Sequence, residues 1–174
     1  GALYIRGGTK AIPLAPMFYG GGQEFGLRPG TSNVSSIVGF GEAAQLCAHN
    51  LGVEINRIQR LRDEFEESLI SQIPGLVING KNTNRLPNTS SLTFPDVDAD
   101  ALLLNLSDVM LGTGSACNSG TLEPSHVLQA IGVSREAAQS TIRASFGRFN
   151  SEEQVQIAIN SIVQSYFSVL HSTL

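Results

Sequence analysis

Leu51, Ile55, Ile58, Leu61, Phe65, Leu69 and Ile73 recur at steps of three and four residues, with charged side chains between them. That spacing returns to one side of a 3.6-residue turn. It predicts a long amphipathic helix within 34–73 that must lay its apolar stripe against another layer. Gly52 is a candidate for a bend in it, and Pro74-Gly75 predicts its end. A second stripe, Val155, Ile159, Ile162, Tyr166 and Leu170, predicts a last helix. Ser151 and Gln154 stand before it at the spacing in which a hydroxyl and an amide each satisfy an orphan backbone N–H.

Between these helices the pattern shortens. Segments 76–79, 90–94, 109–112 and 142–146 read as strands, and 99–106, 125–131 and 134–141 as short helices. Residues 1–6 also read as a strand. The stretch 7–33, with Gly7, Gly8, Gly20, Gly21, Gly22, Gly26 and Gly30, reads as loop. The order helix, strands, helices, strand, helix predicts an α/β fold: a small two-layer domain with helices on a mixed or antiparallel sheet.

The chain of 174 residues is 41% hydrophobic and 15% charged, enough for a packed core. Its formal net charge of −4 and lack of a basic run exclude a nucleic-acid surface. No apolar run approaches the roughly 20 residues of a membrane-spanning helix. Cys47 and Cys117 form neither a disulfide framework nor a metal-spaced cluster, which suits a reducing, intracellular compartment, cytoplasmic or mitochondrial. His49, His126 and His171 are scattered, without metal-ligand spacing.

Cys117 is the sharpest candidate for chemistry. It lies among small residues, Gly112-Thr-Gly-Ser-Ala-Cys-Asn-Ser-Gly120, whereas Cys47 sits beside Leu46 and Ala48 as a packing cysteine would. A thiol acts as a nucleophile through its thiolate, and flanking glycines let the sulfur reach a partner. The alternative is an unreactive loop cysteine. His126, soon after it, is within sequence reach of the thiol; the plainer reading is a structural histidine. Arg143, in Ser140-Thr-Ile-Arg143, opens a strand, and its guanidinium has the geometry to hold a carboxylate by two parallel N–H bonds. An ordinary salt bridge is the competing reading, and Arg148 reads as structural. Arg28-Pro-Gly-Thr31 is a turn ahead of a helix. Its hydroxyl and backbone N–H groups suit a phosphate, or simply cap the helix.

Together these segments resemble the pyridoxal-phosphate-dependent cysteine desulfurases of the NifS and IscS type, in the class V aminotransferase group. The resemblance runs from residue 1 to about residue 165. It is carried by Gly1-Ala-Leu-Tyr-Ile-Arg6, Gly20-Gly-Gly-Gln-Glu24, Arg28-Pro-Gly-Thr31, Leu86-Pro-Asn-Thr89, Gly114-Ser-Ala-Cys117, Leu122-Glu-Pro-Ser125, Ile142-Arg143 and Gly147-Arg148-Phe149. It implies the C-terminal part of a fold-type-I pyridoxal-phosphate transferase. Residues 1–50 would be the tail of the large cofactor domain and a linking helix, and 51–174 the small domain.

In that family Cys117 would match the cysteine that takes sulfur from L-cysteine as a persulfide, releasing L-alanine. Arg143 would match the arginine that binds the substrate carboxylate. Thr31 would match the threonine on the cofactor phosphate of the other subunit of a homodimer. The sulfur would pass to an acceptor or scaffold protein, for iron–sulfur cluster or other sulfur-cofactor assembly. The family's Schiff-base lysine lies in a Ser-His-Lys stretch that does not occur in this sequence, so the chain alone is expected to be inactive. Two other readings are a selenocysteine lyase, which shares this framework, and a non-catalytic dimerisation or scaffold-binding module.

Overall fold

The computed structural model describes residues 1–113 and 125–172. They form two compact units, Gly1–Leu51 and Gly52–Leu174. In the first, a short helix α1 (Gly8–Ala11) and a 3-10 turn (Glu24–Gly26) interrupt otherwise irregular chain. The expected strand at 1–6 is absent. Its apolar residues have no neighbouring strand among the described residues, and a strand without a partner leaves its backbone groups unpaired.

Helix α2 (Val34–Gln72) begins in the first unit and ends in the second. Asn33 caps it, its side-chain oxygen accepting from the Ser36 N–H at 3.2 Å. Gly52 lies inside this helix, a position at which glycine costs about 1 kcal/mol relative to alanine. The helix stops where the proline and glycine stand. Gly75 takes a positive φ of 86°, the left-handed conformation in which glycine alone is unstrained, and the Leu76 N–H returns to the Ile73 carbonyl at 3.2 Å.

The sheet of the second unit is antiparallel throughout. Its strands are β1 (Val77–Ile78), β2 (Thr89–Thr93), β3 (Gly112–Thr113) and β4 (Thr141–Ser145), in the order β1-β2-β4-β3. Helices α3 (Ala99–Leu104), α4 (His126–Ala130) and α5 (Arg135–Gln139) fill the connections, and α6 (Glu152–Ser172) closes the unit. The third strand starts later than its apolar run predicts: among the described residues, Gly112 and Thr113 pair with β4.

Strand pleating sends alternate residues to opposite faces. Leu92 of β2 and Ile142 and Ala144 of β4 enter a core with Leu61, Phe65 and Leu69 of α2, Ile73 just beyond its end, and Val155, Ile159 and Ile162 of α6. Phe65 meets Phe146 edge-on at 5.2 Å. The buried Ser165 hydroxyl donates to the Leu102 carbonyl at 3.0 Å, tying α6 to α3. The start of α6 is capped as its spacing predicts: Gln154 N–H donates to Ser151 Oγ and Ser151 N–H to Gln154 Oε1, both at 3.2 Å.

Candidate functional site

The other face of the sheet is polar. In the β2–β4 register Thr89 faces Ser145, Ser91 faces Arg143, and Thr93 faces Thr141. Pleating puts these six on the side opposite Ser90, Leu92, Ile142 and Ala144, which are buried; Thr141, at the end of the row, is buried as well. Arg143 is the cation in this row, and it is exposed. On its other side β3 places Gly112 opposite it. A Cβ at Gly112 would stand 3.7 Å from Arg143 Nη2, so the guanidinium lies beside bare backbone.

Most arginines of this unit are already engaged. Arg57 donates to Glu54 and to the carbonyls of Arg148 and Asn150. Arg60 reaches Glu64 and Glu152. Arg62 binds Asp63 and the Leu86 carbonyl, and Arg85 grips both oxygens of the buried Glu66 at 2.6 Å. That grip raises the Arg85 guanidinium above its ordinary value, chiefly through the hydrogen bonds to Glu66. Arg148 lies over the Phe149 ring, 4.7 Å from its centre. Arg143 has no hydrogen-bonded or ionic partner among the described residues.

A concavity of about 620 Å³ lies elsewhere in the same unit, lined in part by Arg62, Asp63, Glu66, Lys81 and Arg85. The Arg62–Asp63 and Arg85–Glu66 pairs neutralise much of its charge internally. It offers less to a ligand than the unpaired guanidinium on the sheet.

Thr31 belongs to the first unit. Arg28 Nη1 donates to the carbonyls of Gly30 and Thr31 at 3.2 and 3.0 Å, and the Gly30 N–H donates to Gln23 Oε1 at 3.1 Å. The turn is thereby knitted from within. The Thr31 hydroxyl is exposed and has no hydrogen bond among the described residues. Cys117 lies outside the described residues. His126 is exposed in α4. Cys47, read from its neighbours as a packing residue, is exposed on α2; the helix passes there through a unit in which no residue is buried.

The sequence reading missed a set of polar residues around Arg143. Asn79 Nδ2 donates to Ser91 Oγ at 3.1 Å and to Thr93 Oγ1 at 2.9 Å. Thr93 and Thr141 join their hydroxyls at 2.8 Å, and Thr141 donates to the Ala137 carbonyl at 2.6 Å. Alternation in Thr89-Ser-Ser-Leu-Thr93 was a usable signal for the hydroxyl row. Nothing in the sequence marks Asn79 as its organiser, because that depends on how β1 lies against β2.

The sequence model of the family described as Aminotransferase class-V matches residues 1–157. The chain is 44% identical over 157 residues to a cysteine desulfurase of Gluconacetobacter diazotrophicus, covering 89% of this chain and 38% of that protein. It is 42% identical over 161 residues to a cysteine desulfurase of Nostoc sp., covering 91% of this chain and 40% of that protein. The chain thus spans about two-fifths of the length of these curated relatives. Among solved structures it is similar to a NifS-like protein from Rickettsia africae, with a TM-score of 0.77 and 34% identity over 88% of this chain and 40% of the other. Among the described residues no helix is long and apolar enough to cross a membrane.

Proposed function

The chain belongs to the class-V aminotransferase family, and from that premise we propose that it is the C-terminal part of a cysteine desulfurase. The observation that carries this reading is Arg143: an exposed guanidinium, unpaired among the described residues, on a strand paired on both sides. Residues 1–50 would then be the tail of a cofactor domain with a linking helix, and 51–174 the small domain.

Arg143 would hold the α-carboxylate of L-cysteine through two N–H bonds, fixing the substrate's orientation. The Cys117 thiolate attacks the substrate sulfur. The substrate C–S bond breaks, its electron pair stays on carbon and takes a proton, and the products are L-alanine and a Cys117 persulfide. Bound pyridoxal phosphate supplies the electron sink for that cleavage. The residues described here fit this group at its edge: the free Thr31 hydroxyl is suited to a phosphate oxygen, in the other subunit of a homodimer. The lysine that would bind the cofactor covalently has no counterpart motif in the sequence. The persulfide would pass to a sulfur-acceptor or scaffold protein for iron–sulfur cluster or related assembly.

The test is alanine formation from L-cysteine. This chain alone should form none; turnover by it would overturn the reading. In the complete gene product, Cys117→Ala should abolish sulfur transfer, and full activity of that variant would equally overturn it. L-Selenocysteine assayed beside L-cysteine separates a desulfurase from a selenocysteine lyase.

A further inference from the structure

The hydrogen bonds around Arg143 have a fixed direction. Thr141 Oγ1 donates its one proton to the Ala137 carbonyl. The Thr93–Thr141 contact therefore carries the proton of Thr93. Thr93, with its proton committed, accepts from Asn79 Nδ2. The second hydrogen of the same amide goes to Ser91 Oγ. A primary amide has two such hydrogens, so Asn79 has none left. Ser91 closes the chain as an acceptor, and its own O–H has no acceptor among the described residues. Of all the donors in this network, that proton is the one without a destination.

Ser91 stands directly opposite Arg143 in the ladder. Cross-strand partners of this kind hold their Cβ atoms roughly 4.5–5.5 Å apart. On the other flank Gly112 contributes no side chain. A carboxylate has about four acceptor positions, and an arginine fork occupies only two of them.

We propose that Ser91 is a second substrate-binding residue, whose hydroxyl donates to the carboxylate held by Arg143 while Asn79 holds that hydroxyl in place. The proposal rests on the reading of Arg143 as the carboxylate clamp. Asn79 does not touch the substrate and is a positioning residue. The polar face thereby selects a substrate with a free carboxylate by three donors, two from the cation and one from the serine.

The experiment measures KM and kcat for L-cysteine with the complete enzyme. Ser91 is half-buried and lies outside the core, so truncating it leaves the fold intact. Ser91→Ala should raise KM about tenfold, the loss expected for one hydrogen bond to a charged group. With the bond present equally in ground and transition states, kcat should stay within about twofold. Ser91→Thr, which keeps the hydroxyl, should restore KM. Arg143→Gln reports on the underlying reading and should raise KM about a hundredfold. A raised KM in Arg143→Gln beside an unchanged one in Ser91→Ala overturns the role of Ser91 and leaves the clamp standing. An unchanged KM in both overturns the clamp, and the Ser91 proposal with it. A fall in kcat without a rise in KM, or no rescue by threonine, would also overturn the role of Ser91.

Discussion

In Gly1–Leu51 the rings of Tyr4, Phe18, Tyr19 and Phe25 face solvent, whereas in Gly52–Leu174 those of Phe65, Phe94 and Tyr166 are buried. Phe25 is 92% exposed and Phe65 1%. The two units do not differ in owning apolar side chains; they differ in having a second layer to put them against. The later unit has a sheet with two long helical stripes on one face. The earlier one has irregular chain held by local hydrogen bonds, such as those of Arg28 and Gln23, two short helical turns and the first part of α2.

The largest effect that would test this contrast is a matched pair of truncations. Phe65→Ala should cost about 3–5 kcal/mol of unfolding free energy, because it removes buried area and leaves a cavity against Phe146. Phe18→Ala, at 70% exposure, should stay within about 0.5 kcal/mol. Denaturant melts of the two variants decide the matter, and equal losses would break the comparison.

A smaller effect sharpens the account of the second unit. Glu66 is 2% exposed and takes both prongs of Arg85. Replacing it with Gln leaves a guanidinium without its counter-charge. Breaking a buried ion pair costs about 3–5 kcal/mol; Arg85 keeps some contact with water, which puts the expected loss near the lower end, about 3 kcal/mol. A melt indistinguishable from wild type would show that the pair contributes nothing.

The smallest effect is a pH dependence. Burial pushes the Tyr166 phenol above its ordinary value, and Asp96 adds to the shift. Because the folded value is the higher one, this contribution is complete below about pH 10. It is lost as pH rises from there through the folded value, since the unfolded chain releases the proton first. Unfolding free energies measured at about pH 9 and about pH 11 should fall less in Tyr166→Phe than in wild type.

Much of the second unit could be read from the chain. The stripe from Leu61 to Ile73, the capping pair Ser151 and Gln154, and the stop at Gly75 are local consequences of spacing and of backbone freedom, and each appears in the structure. Pairing is less local. Residues 1–6 have strand-like composition but no neighbouring strand among the described residues, and of the run 109–112 only Gly112 joins the ladder. At the candidate site Arg143 was legible as a cation on a strand. Ser91 was not, because the freedom of its proton follows from three other side chains and a carbonyl on separate elements.

Pleating gives β4 two occupations at once. Ile142 and Ala144 anchor the interior, and Arg143 between them looks outward. The guanidinium is therefore carried on a strand whose residues on either side of it are buried in the core. For the carboxylate clamp proposed at Arg143, the backbone is ordered before the anion arrives, so that share of the ordering cost falls on folding and not on binding.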